Sequence, residues 1–168
     1  LSVSIQMDGR MTYADEGVNQ TVVPYNRVNG QVYTRAYIDT ASTNTGLVRF
    51  EQKDGTTYDA VQTGGSYYSP GVLVPYNIAS RHGSTFINGA ADGVALTADT
   101  TPVALPDLSA TDLDLGQTYM GTIGTFRVWD QDLGDDGIVT ATAPSLEPSL
   151  SLTFDGSGLS FTVLDWSE

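Results

Sequence analysis

Apolar and polar residues alternate along short segments of this chain, and pairs of turn-forming residues follow many of those segments. Residues 1–7 alternate in this way, and Asp8-Gly9 comes directly after them, before a second short segment over 10–14. Successive side chains of a β-strand point to opposite faces of its sheet, so a period of two predicts strands with one buried face. Asp-Gly between two such segments is a strong hairpin signal. The pattern therefore predicts a fold built from antiparallel strands.

The same pattern continues along the chain and predicts the remaining strands. The further segments are 31–39, 46–52, 57–62, 71–79, 84–88, 121–129, 150–154 and 159–166. The further turn pairs are Asp54-Gly55, Asn88-Gly89, Asp92-Gly93 and Asp155-Gly156. Pro75 cannot donate a ladder hydrogen bond, which predicts an edge strand, a bulge or a strand end at that point. Segment 121–129 is predicted to be buried, because Ile123, Phe126 and Val128 stand among small residues.

Helical signals are confined to residues 135–142. Asp135 or Asp136 is predicted to cap a short helix that carries Ile138 and Val139. Many short strands with one short helix predict an all-β, antiparallel β-sandwich. No repeat or linker divides the 168 residues, so a single domain over 1–168 is expected.

Charge and composition exclude several classes of partner. The chain has 20 acidic and 7 basic residues and a formal net charge of -13, which repels nucleic-acid phosphates. No apolar stretch approaches the roughly 20 residues that a membrane helix needs, and no signal peptide is visible, so membrane insertion is not expected. Without cysteine there is no disulfide or thiolate metal site. Because the first residue is Leu1 rather than Met, we expect that a preceding part was removed or left out.

Two segments go beyond a general β pattern. The first is Ser84-Thr85-Phe86-Ile87-Asn88-Gly89 followed by Asp92-Gly93, and the second is Leu115-Gly116 followed by the strand from Gly121 to Asp130. They resemble the strand, Asn/Asp-Gly, strand hairpin and the late Gly-x-Ile-x-x-Phe/Val-Arg-Val-Trp/Tyr strand of concanavalin A-like and laminin-G-like jelly rolls. The matched part spans roughly residues 71–142. The resemblance implies a jelly-roll sandwich with a short helix after the late strand.

Three other segments, 77–83, 101–108 and 143–150, suggest a biological setting. They are similar to jelly-roll modules in structural proteins (tail, spike or decoration proteins) of tailed bacteriophages and of gene-transfer agents of marine alphaproteobacteria. This resemblance implies an extracellular, virion-surface or tail-associated module that recognises host-surface carbohydrate. The alternative is a capsid or tail decoration protein that contacts other virion subunits, for which Trp166 and the aromatic loop residues would serve. Such proteins are often homotrimers.

Glycoside hydrolysis is the enzymatic alternative, because glucanases share this fold. A retaining mechanism needs two carboxylates about 5–5.5 Å apart, which the family supplies as Glu-x-Asp-x-x-Glu or Glu-x-Asp-x-Glu along one strand. The four glutamates are scattered and form no such strand: Glu16, Glu51, Glu147 and Glu168. The only histidine, His82, has no accompanying Gly-x-Ser-x-Gly motif and is expected to be exposed or hydrogen-bonded rather than a general base. We therefore expect no enzymatic activity.

Aromatic residues in predicted loops are the candidates for a carbohydrate site. Sugars stack their apolar faces on Tyr and Trp rings, while amides and carboxylates bind their hydroxyls. Tyr67 and Tyr68 stand between Gly- and Ser-rich turns, where burial of both is unexpected, and Tyr25 and Asn26 follow Pro24 in a second predicted loop. The sequence thus predicts sugar binding at these four residues. Simple packing within the loop and a subunit interface are the alternatives for the Tyr67-Tyr68 pair.

Loop carboxylates raise the question of calcium, which prefers oxygen ligands. Asp130 and Asp132 belong to an acidic cluster over residues 130–137 that does not match the EF-hand spacing. Helix capping and solvent exposure are the alternative for this cluster. The jelly-roll resemblance adds Asp54 and Asp59, because domains of that family often bind calcium at loop carboxylates. Calcium is the one cofactor that the sequence suggests.

Overall fold

The computed structural model describes residues 1–17 and 21–144, together with the backbone of the two strands Leu150–Phe154 and Leu159–Val163. These residues form twelve strands and one helix. The elements in chain order are β1 Ser2–Tyr13, β2 Thr21–Asn29, β3 Val32–Asp39, β4 Val48–Asp54, β5 Thr57–Gln62, β6 Gly71–Gly83, β7 Ile87–Ala91, β8 Val94–Ala95, β9 Leu113–Gln117, β10 Gly121–Trp129, α1 Gly134–Thr142, β11 Leu150–Phe154 and β12 Leu159–Val163.

Two five-stranded antiparallel sheets pack face to face. The first sheet has the order β10-β1-β6-β7-β8 and the second has the order β5-β4-β3-β2-β9, while β11 and β12 form a separate two-stranded sheet. The inner faces share one hydrophobic core, which includes Met7 and Ile78 from the first sheet and Tyr25, Ile38 and Phe50 from the second. The predicted all-β jelly-roll sandwich with one short helix is confirmed.

The turn predicted at Asp8-Gly9 is wrong, because β1 continues through it as one long strand. β1 pairs with β6 on one side and β10 on the other. The pairing with β10 shifts between Met7 and Gly9, and the Thr125 N–H donates to Asp8 Oδ1 at 3.0 Å there. A Cβ on Gly9 would lie 2.1 Å from the Thr122 carbonyl oxygen. Glycine is needed here for the close approach of two strands.

The turn predicted at Asn88-Gly89 is also wrong, because both residues lie inside β7. A Cβ on Gly89 would lie 2.1 Å from the ring of Phe50, so this glycine makes room for a core side chain. The chain instead reverses at Asp92-Gly93, where φ is 47° and 81°. These positive φ angles suit a tight hairpin turn. The predicted turn at Asp54-Gly55 is confirmed by the pairing of Asp54 with Thr57.

Strand β10 exists as predicted, but its predicted burial is wrong. It lies at the edge of the first sheet and pairs only with β1 among the described residues. Ile123 is 41% exposed and Val128 is 51% exposed, whereas Phe126 packs against the core. Pro75 pairs with Arg10 of β1, and β7 joins the other side of β6 only from Ile78 onward. β6 is thus a central strand rather than the predicted edge strand, and at Pro75 only β1 pairs with it among the described residues.

Helix α1 packs on the outer face of the first sheet. Its Ile138 is fully buried against Ala79 and Ala90. The predicted cap is wrong, since Leu133 occupies the N-cap position without a side-chain hydrogen bond and Asp135 lies in the first turn. Asp135 Oδ1 instead accepts hydrogen bonds from Arg81 at 2.8 Å and from Asn88 at 2.6 Å, which tie the helix to the sheet. Among the described residues, no helix is both long and apolar enough to span a bilayer.

Candidate functional site

Basic and tyrosine side chains meet on the outer face of the second sheet. Phe50 and Gln52 of β4 point into the protein. Because side chains alternate along a strand, Arg49, Glu51 and Lys53 lie on the outer face. Cross-strand pairing places Tyr37 beside Arg49, Arg35 beside Glu51 and Tyr33 beside Lys53. We call this group the basic–tyrosine cluster, which consists of Tyr33, Arg35, Tyr37, Arg49, Glu51, Lys53 and Tyr58.

Glu51 is the centre of the cluster. It is only 2% exposed although it lies on an outer face, because the neighbouring side chains cover it. Arg35 Nε and Nη2 each lie 2.8 Å from Glu51 Oε2. Arg49 Nε lies 2.9 Å from Oε1, and the hydroxyls of Tyr33 and Tyr37 donate to the carboxylate at 3.2 Å and 3.4 Å. A buried carboxylate with these partners holds both guanidinium groups in place.

The tyrosine rings stack against the cations. The Arg35 Cζ atom lies 4.5 Å from the Tyr33 ring centroid and 5.1 Å from that of Tyr37. Arg49 Cζ lies 5.4 Å from the Tyr58 centroid. Such cation–π contacts order long side chains that would otherwise be mobile. The Arg35 side chain stays 35% exposed and that of Arg49 24%, so both guanidinium groups are ordered and still reachable from solvent.

The cluster is positive in an otherwise acidic protein. It holds three of the seven basic residues and one carboxylate, which gives a local formal charge of +2 against -13 for the chain. Burial and the negative charge of Glu51 raise the pKa of Tyr37 to about 12, and the same causes raise the pKa of Tyr33. Both phenols therefore stay protonated at neutral pH and remain hydrogen-bond donors. This surface favours an anionic ligand.

Among the four predicted sugar-binding residues, Asn26 lies beside the cluster. It pairs with Arg35 across β2 and β3, and its Nδ2 donates to Gln117 Oε1 at 3.3 Å. Asn26 is 7% exposed, and no donor among the described residues reaches its Oδ1 atom. A buried acceptor without a partner is costly, so a ligand hydroxyl that reached it would form a favourable bond.

Tyr25, the neighbour of Asn26, lies on the opposite face. It belongs to β2 rather than to a loop, and it is fully buried in the core. Its hydroxyl forms a 2.5 Å hydrogen bond with Ser80 Oγ, and burial raises its pKa. The predicted loop position of Tyr25 is thus wrong, and its ring has no free face for a sugar. Alternation along a strand explains why Asn26 is outside when Tyr25 is inside.

The Tyr67-Tyr68 pair lies in the loop between β5 and β6. The two rings pack edge to face with their centroids 5.1 Å apart. Tyr68 is buried and joins the core whereas Tyr67 is exposed, so the expectation that the two are not both buried is confirmed. Its carbonyl accepts a hydrogen bond from the Tyr13 hydroxyl at 2.5 Å. Tyr67 is 37% exposed while its hydroxyl donates to the Ala91 carbonyl at 2.9 Å, which leaves one partly exposed ring.

Among the predicted calcium ligands, two carboxylates already have protein partners. Asp132 forms an ion pair with Arg81 at 2.9 Å and accepts the Gly134 N–H at 2.8 Å. Asp59 Oδ2 accepts the Val103 N–H at 2.6 Å, while Asp54 and Asp130 are exposed. No three His, Cys, Asp or Glu side chains lie together as a metal site within the described ranges. Calcium binding stays a prediction.

His82 is a buried core residue. Its Nε2 lies 2.9 Å from Ser80 Oγ and its Nδ1 lies 3.3 Å from Gln52 Oε1. Burial lowers its pKa to about 4, so the imidazole is neutral at neutral pH. The expectation of a hydrogen-bonded histidine is confirmed.

Sequence reasoning missed the basic–tyrosine cluster. Its signal was present as Tyr33-x-Arg35-x-Tyr37 and Arg49-x-Glu51-x-Lys53, where aromatic and charged residues occupy the polar positions of two alternating strands. Each pattern alone describes an ordinary solvated face. Only the register between β3 and β4 brings the two patterns together.

Comparison with known proteins shows the fold. A leech intramolecular trans-sialidase complexed with 2,7-anhydro-Neu5Ac superposes with a TM-score of 0.66 at 19% identity, over 84% of this chain and 23% of that chain. The Ruminococcus gnavus IT-sialidase CBM40 bound to α2,6-sialyllactose gives a TM-score of 0.65 at 19% identity, over 84% and 83%. Botulinum neurotoxin type C, described as dependent on two ganglioside molecules for cell entry, gives 0.56 at 10% identity, over 99% and 48%.

These likenesses define a class by architecture, the jelly-roll β-sandwich, which carbohydrate-binding domains such as CBM40 also adopt. The chain spans less than a quarter of the trans-sialidase that it matches. No protein-family model matches the sequence, and no curated protein is significantly similar to it.

Proposed function

We propose that this chain is a carbohydrate-binding module that holds an acidic sugar on the basic–tyrosine cluster. The observation that carries the proposal is the pair of guanidinium groups, Arg35 and Arg49, fixed by the buried Glu51 on the outer face of a sheet. Ordered, solvent-reachable cations lower the entropic cost of binding an anion. In a protein of net charge -13 such a positive face calls for a ligand that carries negative charge.

The chemistry of the cluster fits a sugar carboxylate. Arginine forms charge-assisted hydrogen bonds with carboxylates, and tyrosine rings offer apolar faces for a pyranose. Asn26 Oδ1 supplies an acceptor for a hydroxyl next to Arg35. Two of the similar structures hold sialyllactose or 2,7-anhydro-Neu5Ac, and both are sugars with a carboxylate. This likeness supports the choice of sialic-acid-like ligands for the first test.

A binding role fits the cluster better than hydrolysis. Retaining glycosidases use two carboxylates about 5–5.5 Å apart, whereas the cluster holds one, Glu51, which is occupied by two arginines. A carboxylate bound by two guanidinium groups is not free to approach a scissile bond. The absence of enzymatic activity stays a prediction.

The experiment is calorimetric titration of the full chain with α2,3- and α2,6-sialyllactose. Loss of a hydrogen bond to a charged group costs about 1.5–3 kcal/mol, so Arg35→Ala and Arg49→Ala should each weaken binding roughly 10- to 100-fold. Arg10→Ala is the matched control, because Arg10 is exposed on β1 and its side chain bonds, among the described residues, only the Leu73 carbonyl. Wild-type affinity in both cluster variants would refute the proposal.

The setting on a virion surface, with its extracellular location, stays a prediction. None of the similar structures named above is a virion protein. The decisive measurement is the native assembly: the chain should sediment with purified particles if it is a tail or surface component. Retention on a host polysaccharide would further support a recognition role.

The alternative of a subunit-contact protein is favoured by one separate observation. Val72, Leu73 and Met120 are 79%, 47% and 67% exposed. Exposed apolar side chains of this size are typical of interfaces. Light scattering after size exclusion should show a homotrimer that Val72→Ser with Met120→Ser dissociates, and a monomer at all concentrations would contradict this alternative.

A further inference from the structure

A groove runs between α1 and the outer face of the first sheet, on the side of the sandwich opposite the basic–tyrosine cluster. Its volume is about 940 Å³, within the size range of about 300–1,000 Å³ that small-molecule sites occupy. We call it the helix groove, and its polar and aromatic lining includes Gln6, Asp8, Arg127, Trp129, Asp136 and Thr140.

The floor and the wall of the helix groove are built by regular elements. On the floor, Gln6 pairs with Arg127 and Ser4 pairs with Trp129 across β1 and β10. The wall residues 133, 136, 137, 140 and 141 recur every three to four positions, so they share one face of α1. Ser4 Oγ donates to the Gln131 carbonyl at 2.9 Å and accepts the Leu133 N–H at 3.1 Å, which fixes the start of the helix at one end of the groove.

Gln6 is a buried side chain with an unused acceptor in this groove. It is 1% exposed, and its Nε2 donates to Asn77 Oδ1 at 2.9 Å and to Asp8 Oδ2 at 3.2 Å. Two acceptors therefore fix the orientation of the amide. No donor among the described residues reaches Gln6 Oε1. A ligand hydroxyl at the floor of the groove would satisfy this atom.

The charges of the helix groove differ from those of the cluster. Asp8 and Asp136 against Arg127 give a formal charge of -1, whereas the cluster carries +2. Arg127 forms no ion pair with any residue that the structure describes, so its guanidinium remains available to a ligand. Carboxylate acceptors, an amide acceptor and one guanidinium donor suit hydroxyl groups. The indole of Trp129 adds an apolar surface on which a pyranose can stack.

From this geometry we propose that the helix groove is a second, independent ligand site that binds neutral saccharides. It goes beyond the proposed function, because it uses another sheet, another charge balance and none of the cluster residues. The two sites together would let one module hold an acidic and a neutral sugar on opposite faces.

The test uses the fluorescence of Trp129. The chain contains two tryptophans, so Trp166→Phe leaves Trp129 as the single reporter. The variant is titrated with maltose, cellobiose and N,N′-diacetylchitobiose, each a neutral disaccharide. At least one should shift the Trp129 emission to shorter wavelength in a saturable manner, since stacking removes water from the indole. The same titration with Arg35→Ala added should give an unchanged dissociation constant.

Two further variants show whether the groove itself binds. Gln6→Leu and Asp136→Ala, each in the Trp166→Phe background, should weaken the saturable change at least tenfold. Asp130→Ala is the matched control, because Asp130 is exposed outside the groove. Asp136 is exposed on the helix, so its variant keeps the test decisive if Gln6→Leu does not fold. No emission change with any of the three sugars, or a change that both variants retain, overturns the proposal. Failure of the cluster would instead appear as sialyllactose binding that Arg35→Ala leaves intact.

Discussion

Glu51 illustrates how one buried carboxylate organises a surface. Its two carboxylate oxygens form ion pairs with both nearby guanidinium groups and accept hydrogen bonds from two phenol hydroxyls. The protein therefore holds the two arginines in place before any ligand binds. A ligand carboxylate would approach their exposed edges rather than replace Glu51. The residue thus acts as a positioning group for Arg35 and Arg49.

Removal of the Glu51 charge should cost stability as well as binding. Glu51→Gln leaves two partly covered arginines facing each other without a counter-ion. Breaking a buried pair costs about 3–5 kcal/mol, and solvent at the exposed edges of the arginines reduces the loss to about 2 kcal/mol in the free energy of unfolding. Urea denaturation measures it. Glu16→Gln, an exposed residue, is the control and should match the wild type within error; equal stability of both variants would contradict the positioning role.

The buried His82 predicts a pH dependence of stability with a definite sign. Its pKa is about 4 in the folded protein against 6.5 in an unfolded chain, so only the unfolded state binds the proton between these values. The contribution of His82 to the free energy of unfolding is therefore fully present above pH 6.5 and is lost as the pH decreases toward 4. At about 1.4 kcal/mol per pKa unit, the loss by pH 4 is about 3 kcal/mol.

Urea denaturation between pH 7 and pH 5 measures about 2 kcal/mol of this loss, in a range where most carboxylates titrate little. His82 is the only histidine, but burial also raises the pKa of Asp92, so the slope is assigned to His82 by comparison with a variant. His82→Gln keeps a hydrogen-bonding side chain without the titration and should flatten the slope. An unchanged slope in the variant would show that other groups cause the pH dependence.

At the scale of the elements, close approaches decide where strands run. Gly9 lets β1 pass near β10, and Gly89 lets β7 cover Phe50. Gly9 follows Asp8 and Gly89 follows Asn88, so each pair has the sequence typical of a hairpin turn although it lies within a strand. β10 pairs with β1 around Gly9, and β6 pairs with β7 around Gly89. The hydrogen bonds of these ladders outweigh the local preference for a turn.

Gly89→Ala should destabilise the protein, because its Cβ would overlap the Phe50 ring at 2.1 Å. Overpacking of this kind costs about 1–3 kcal/mol. Gly64→Ala is the matched control: no atom lies within 4 Å of its Cβ position, and its φ is not positive. Thermal melting should show a clear loss for the first variant and a change within about 0.5 kcal/mol for the second. Equal melting temperatures for the two variants would mean that β7 moves to accommodate the added Cβ without loss of stability.

The segment between β10 and α1 bears on the calcium prediction. Asp132 is engaged by Arg81 and by the Gly134 N–H whereas Asp130 is exposed, so the two predicted ligands of this cluster are not both free to share a cation. If calcium binds as predicted, added calcium should raise the melting temperature and a chelator should reverse the rise, because a ligand specific for the native state stabilises it. An unchanged melting temperature would contradict the prediction. A calcium-dependent rise would place a site at carboxylates other than Asp132. Magnesium at equal concentration is the control for ionic strength.

At the scale of the whole molecule, the sandwich separates two polar faces. The basic–tyrosine cluster lies outside the second sheet and the helix groove lies outside the first, with the shared core between them. No residue belongs to both. Ligands bound at the two proposed sites would therefore not contact each other.

The two proposed sites should bind independently. Sites that share no partners have nearly additive free energies, so saturation with sialyllactose should leave the dissociation constant of a groove disaccharide unchanged within twofold. Trp129 fluorescence in the Trp166→Phe variant measures this directly. A change of more than twofold in this dissociation constant would indicate coupling through the core. Arg10→Ala is the control for a surface substitution outside both sites.

Local chemistry in the sequence was enough to establish the class of fold. Period-two alternation predicted β3, β4, β5 and β10, and positive φ at Gly55 and Gly93 agrees with the turns expected there. These features depend on a few neighbouring residues, so a sequence determines them without knowledge of distant contacts. The short helix over 134–142 belongs to the same group.

Burial and the candidate site depended on the tertiary structure. Tyr25 and Tyr68 stand in sequence beside polar and turn-forming residues, yet both lie in the core, while Ile123 is exposed at a sheet edge. The cluster around Glu51 needs the pairing of Arg35 with Glu51, two residues sixteen positions apart. Alternation tells which side chains share a face of a strand. Only the pairing of strands and the packing of sheets decide which face meets the core, because that choice depends on apolar area buried between segments distant in sequence.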